Sequence, residues 1–162
     1  MPRILIYPLL LFLIACVPAN PALDTESIVA SYYQTYQERS NFQQFLNFYA
    51  DTIVLKDMIN GDHIEGKTAL EAFFDWENPH FRKLDSVTLV VQEQIMEGKR
   101  VVTQGYFTPF QWDEYQFEAM HFTTILTFND NGKIVEQVDW INYPTNLVDY
   151  ENRKNSNEWI NK

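Results

Sequence analysis

The sequence predicts an α+β domain, and three observations carry that expectation. Apolar residues recur at helical spacing in the first part of the chain and alternate as in strands from Ser86 onward. Turn signals at Asn60-Gly61, Glu97-Gly98-Lys99 and Asn131-Gly132 punctuate the strand-like stretches. Helices early and an antiparallel meander late place the helices on one face of a strongly curved sheet. With 162 residues, 46% of them hydrophobic and 15% aromatic, the chain fits one domain with a genuine core.

Each element has its own reason. Asp24-Thr25 supplies an N-cap for a helix over 26–39, whose Ile28, Val29, Tyr32, Tyr33 and Tyr36 form one apolar stripe. Ser40-Asn41 caps a second, short helix with Phe42, Phe45, Leu46 and Tyr49 facing inward. Residues 52–59 (TIVLKDMI) read as a strand entering the Asn60-Gly61 turn, and Thr68-x-x-Glu71 reads as a capping box opening a third helix that ends before Pro79. Strands are then expected over 87–96, 100–107, 116–128 and 133–143.

The N-terminus carries an address. Arg3 precedes an apolar run from Ile4 to Ile14 that is too short to span a bilayer, which takes about 20 residues, and has the pattern of a secretory leader. Leu13-Ile14-Ala15-Cys16 resembles a bacterial lipobox, which implies a signal peptide over 1–15 and diacylation of Cys16. Residues 16–23 then form a short Pro-bearing tether, 24–148 the folded domain and 149–162 a polar tail. Acyl chains gain about 0.8 kcal/mol per buried methylene, so two or three of them anchor a protein firmly. Position 17 is Val rather than the Asp that resembles an inner-membrane retention signal. The expected location is therefore the outer membrane or periplasmic side of a two-membrane source.

Composition also excludes. A net charge of −10, from 12 basic and 22 acidic residues, argues against nucleic acid, whose phosphates need clustered Lys and Arg. One cysteine excludes an internal disulfide framework and a Cys-based zinc cluster. His63, His80 and His121 show no metal-ligand spacing, so no metal is expected. Phosphate loops, dinucleotide fingerprints and nucleophile elbows are missing from the sequence, so no cofactor is expected either.

Tyr49-Ala50-Asp51 through Asp57, Gly66 and Ala69 to Phe74, followed late by Phe128-Asn129-Asp130-Asn131-Gly132-Lys133-Ile134, resembles the nuclear transport factor 2-like superfamily of SnoaL-like and ketosteroid isomerase-like domains. The resemblance spans roughly residues 24–148. It implies a cone-shaped roll, a strongly curved antiparallel sheet wrapped around N-terminal helices and enclosing a pocket. Such domains include isomerases, cyclases, dehydratases, epoxide hydrolases and non-enzymatic binding or dimerisation modules, so the fold leaves function open.

Candidate site residues follow. Asp57 shares a strand face with Ile53 and Leu55, where lost solvation favours a general base; the alternative is a strand-end Asp bonding the Asn60-Gly61 turn. The isomerase resemblance also puts the base eight residues after Tyr49, at Asp57, and a phenolic oxyanion donor at Tyr33. It puts the second, acidic donor at Thr124, which a hydroxyl cannot replace. His121 and Asp139 offer other acid–base chemistry on late strands, or simply the open face of the sheet. Trp76, Phe110, Trp112 and Trp140 are candidates for an aromatic ligand pocket, or for ordinary core. Three function classes survive. The chain binds a small apolar or aromatic ligand, catalyses a cofactor-free isomerase, cyclase or dehydratase reaction through Asp57 and Tyr33, or acts as a homodimerisation or interaction domain. Binding ranks first, because Thr124 weakens the concrete mechanism.

Overall fold

The structure, a computed structural model, describes residues 24–145, 147–148 and 156–160. The leader, Cys16, the tether and residues 149–155 and 161–162 of the tail lie outside the described residues. Helix α1 runs Thr25–Glu38, one residue ahead of expectation, because Asp24 is the N-cap and accepts from the Ser27 N–H at 3.1 Å. It ends where Arg39 turns left-handed at φ 49° and its N–H bonds the Thr35 carbonyl. Helix α2, Phe42–Leu46, is capped by Asn41 in the same way.

Strand β1, Tyr49–Asp57, folds back on β2, His63–Glu65, through the expected turn. Helix α3 spans Lys67–Phe74, and here the capping box does not form. Gly66 sits at the cap with φ 83° and its N–H bonds the Ile53 carbonyl at 2.8 Å. That left-handed residue ties the helix start to β1 and sets it before Thr68, so no side chain caps it.

Six strands form the main sheet in the order β2-β1-β9-β8-β5-β4, with β4 at Leu89–Glu97, β5 at Arg100–Phe107, β8 at Met120–Phe128 and β9 at Ile134–Ile141. All neighbours are antiparallel except β1 and β9, which run parallel with Asp57 opposite Asp139. A second sheet, β3-β6-β7, is made of Phe81–Lys83, Phe110–Trp112 and Tyr115–Phe117. Two expectations are corrected by it. The strand expected over 116–128 breaks after Phe117, and the expected 108–115 loop contains β6. Three-residue strands are too short to show a period, so their pairing is visible only in three dimensions.

One face of the main sheet packs on α1 and α2. Val29 and Tyr32 of α1 and Phe45 of α2 meet Leu55, Leu89, Val101, Leu126 and Ile134, all essentially fully buried. Phe45 anchors an aromatic cluster with Trp76 at 4.4 Å, Phe74 at 4.9 Å and Tyr32 at 5.4 Å between ring centres. The Tyr32 and Tyr49 hydroxyls are satisfied, whereas the Trp76 indole N–H is buried with no hydrogen-bond partner. Tyr32 and Tyr49 share a 2.8 Å hydroxyl bond, and Tyr49 donates onward to Gln137 Oε1 at 2.8 Å. No helix among the described residues is long and apolar enough to cross a membrane.

Candidate functional site

Between helix α1, the concave face of the main sheet and the small sheet lies a cavity of about 290 Å³. It sits at the small end of the range for small-molecule sites. Its walls are mostly apolar, with Phe74, Leu89, Phe107, Phe122 and Ile141 contributing, and its polar groups collect in two places.

The first polar group is acidic. Asp57, at the end of β1, is only 1% exposed and lines the cavity. Its Oδ1 accepts from the Ile59 and Asn60 N–H groups, each at 2.8 Å, and its Oδ2 accepts from the Tyr143 hydroxyl at 2.6 Å. One oxygen therefore organises the turn and the other bonds Tyr143, and both residues line the cavity. Asp139, opposite it on β9, is 6% exposed and also lines the cavity. Thr124 donates to its Oδ1 at 2.6 Å and Gln137 Nε2 to its Oδ2 at 2.8 Å. Burial pushes the Asp139 carboxyl up from 3.8 to about 7, against the opposing pull of Thr124 and Gln137, and the nearby Asp57 charge adds to the rise.

Tyr33 lines the same cavity, so Asp57, Tyr33 and Asp139 are brought together. The Tyr33 hydroxyl is buried without a hydrogen-bond partner. Burial raises its pKa, although Thr103 and Thr124 are near enough to oppose the rise. Tyr143 is raised too, first by burial and then by the Asp57 charge and hydrogen bond. An orphaned phenol beside two carboxyls is a donor with nothing yet to donate to.

The second polar group is cationic and lies at the rim. Arg39 and Lys83 line the cavity there beside Phe81, Phe110 and Trp112, the last 39% exposed. Phe110 and Trp112 thus line the cavity. Trp76 does not line the cavity. It is buried in the aromatic cluster behind it, stacked on Tyr36 and Phe42. Trp140 is 40% exposed, and His121 is exposed with its ring edge-on to Tyr106; neither lines the cavity. Their strand parity explains this, since Trp140 follows inward Asp139, and His121 lies between inward Met120 and Phe122.

Sequence reasoning missed Arg39, Tyr36 and Gln137 as parts of the cavity. Tyr143 and Thr124 were visible only as neighbours of Asp139 in alternation and as a departure from the isomerase pattern. Arg39 carried no signal, because a single Arg after a helix reads as solvent-facing.

The fold is a curved sheet packed on helices around an enclosed cavity, and comparison with known proteins identifies its family. The model of the SnoaL-like domain matches residues 29–137, and the chain belongs to that family. None of the curated proteins matches the chain in sequence. Among solved structures, the fold is similar to that of a candidate SnoaL-like polyketide cyclase from Shewanella denitrificans. The two are 19% identical, 74% of this chain and 90% of that chain are covered, and the TM-score is 0.62. A protein of ketosteroid isomerase-like fold from Catenulispora acidiphila, in complex with trimethylamine, matches at 14% identity over 73% of this chain and 85% of that one, with a TM-score of 0.57. An LEH-like epoxide hydrolase from M. tuberculosis matches at 12% identity over 73% and 82%, with a TM-score of 0.58. At these identities the likeness is one of fold.

Proposed function

We propose that this chain is an envelope lipoprotein whose SnoaL-like cone binds a small, largely aromatic or apolar molecule. The observation that carries the binding role is the cavity itself: apolar walls closing on two side-by-side carboxyl groups and an unpartnered phenol. Apolar walls supply affinity by removing ligand surface from water, and the few convergent polar groups fix orientation. Anchoring rests on the lipobox-like Leu13-Ile14-Ala15-Cys16 alone. A Cys16→Ser chain is expected to leave the membrane fraction and to lose lipid labelling; continued labelling would refute the anchor.

A specific observation also favours catalysis at the same place. Three donors fall on Asp57, leaving one of about four carboxylate lone-pair sites free toward the cavity. Asp139, raised by burial to about 7, holds its proton below that pH. Two carboxyls with unlike environments are the arrangement from which a base and an acid are made. The second reading is therefore cofactor-free proton transfer, with Asp57 accepting, Asp139 donating and Tyr33 bonding developing negative charge.

Calorimetric titration with neutral 2-naphthamide tests the cavity, and saturable one-to-one binding that Phe110→Ala weakens is the expected result. Absence of binding, together with empty native mass spectra of gently purified protein, would sink the reading. Asp57→Asn separates the two roles. It is expected to retain naphthamide binding, and on any substrate found it abolishes turnover if the carboxylate is the base.

A further inference from the structure

Arg39 is an unusual residue for its position. It occupies the left-handed cap of α1 at φ 49°, a conformation that glycine adopts freely and a side chain such as Arg only at a conformational cost. Its guanidinium lies over two rings, 4.0 Å from the Phe81 centre and 5.3 Å from that of Trp76, which fixes it half-buried at the cavity rim. Neither ring offers an oxygen. The buried Nε–H has no acceptor, and no ion pair to Arg39 forms among the described residues. Asp75 is close enough to favour its charge, but that carboxylate takes a hydrogen bond from Asn78 instead.

Lys83, from the small sheet, lines the cavity too. Its ammonium donates only to the Glu38 and Ser86 carbonyls, at 3.3 and 3.1 Å, so its charge is also uncompensated. Two cations without a carboxylate partner thus share one rim of the cavity. They are separated from the acidic floor. Arg39 is half-buried and Lys83 exposed, whereas Asp57 and Asp139 are buried, and neither carboxylate pairs with Arg39. The cavity therefore has a cationic mouth, an aromatic waist and an acidic floor.

Resting on the binding role above, we propose that the ligand is an aromatic or apolar monocarboxylate, held with its carboxylate at the rim by Arg39 and Lys83 and its apolar body inward. A planar guanidinium with free edge hydrogens matches a planar carboxylate, with which it bonds in a two-pronged fork. A doubly charged phosphate fits less well, because Asp57 and Asp139 line the same small cavity. The orientation also assigns the chemistry. The end of the ligand that meets Asp57, Asp139 and Tyr33 is the one remote from its carboxylate.

The test compares 2-naphthoate with 2-naphthamide, which differ in charge and little in shape, by calorimetry at low salt. The native chain is expected to bind naphthoate about tenfold more tightly, the scale of one charge-assisted fork. Arg39→Gln is expected to erase that preference, weakening naphthoate about tenfold more than naphthamide. Lys83→Gln, with the fold checked by circular dichroism because Lys83 ends β3 and holds the Glu38 and Ser86 carbonyls, is expected to weaken naphthoate about threefold more than naphthamide, within the range of a half-exposed ion pair. Equal affinity for the two probes, or variants that weaken both alike, overturns the carboxylate assignment and leaves the binding role standing. Failure of both probes to bind overturns the two together.

Discussion

Gly105→Ala is expected to destabilise the domain by about 3 kcal/mol, at the upper end of what overpacking costs. A Cβ at that position would lie 2.2 Å from the Val90 carbonyl oxygen and 2.9 Å from Cζ of Phe122. Ordinary contacts begin near 3.4 Å. The Phe122 ring can swing aside, but only into the cavity it lines. The carbonyl cannot, because it belongs to β4 beside an irregularity in the β4–β5 register between Val91 and Glu93. Relief therefore demands separating the two strands. Urea unfolding is the check, with a shifted midpoint at unchanged slope expected. A variant as stable as the native chain would show that the strands part freely there. The same substitution is expected to weaken naphthamide binding, since Phe122 moves into the ligand's space.

The second large effect is a pH dependence of stability. Asp139 has a folded-state pKa of about 7 against an ordinary 3.8, so between those values the folded chain holds a proton that the unfolded chain releases. Its contribution is complete below pH 4 and disappears as pH rises through 7. Over pH 5 to 8 the native chain is expected to lose on the order of 3 kcal/mol relative to Asp139→Asn, which cannot titrate. The Asn keeps an acceptor for the Thr124 hydroxyl, so the comparison isolates the proton. Parallel stability curves for the two proteins would contradict the buried, protonated acid. The sign is opposite to that of a salt-bridged carboxylate, which stabilises more as pH rises.

Much of this architecture was legible in the residues. Period-two alternation put Asp57 on one face with Ile53 and Leu55, which is buried, and the α1 stripe put Tyr33 inward, while Asp139 was left open between a site and the sheet's exposed face. The same parity already excluded Trp140, because consecutive strand residues cannot share a face; aromatic character drew attention that the strand period should have overruled. What the sequence hid is what sequence distance hides. The Tyr143–Asp57 bond joins residues 86 apart, and Tyr49–Gln137 joins residues 88 apart. Neither has any local signature. The small sheet escaped because its strands have three residues each, and the α3 cap because Gly66, tied to Ile53, outcompeted a valid Thr-x-x-Glu pattern. Arg39 escaped because its two ring partners come from a loop and from another sheet.

The parallel pairing of β1 with β9 has a temporal side. An early strand waits for the last strand of the main sheet before it gains its inner neighbour, and loop closure over such a span is slow. Asp57 comes with the first strand and Asp139 with the last, so their juxtaposition requires the two ends of the chain's sheet to be joined. No partly folded form of the chain holds the acidic floor, and a chain cut before residue 139 lacks half of it. The acidic floor is thus a certificate of maturity, complete only in molecules whose two ends have met.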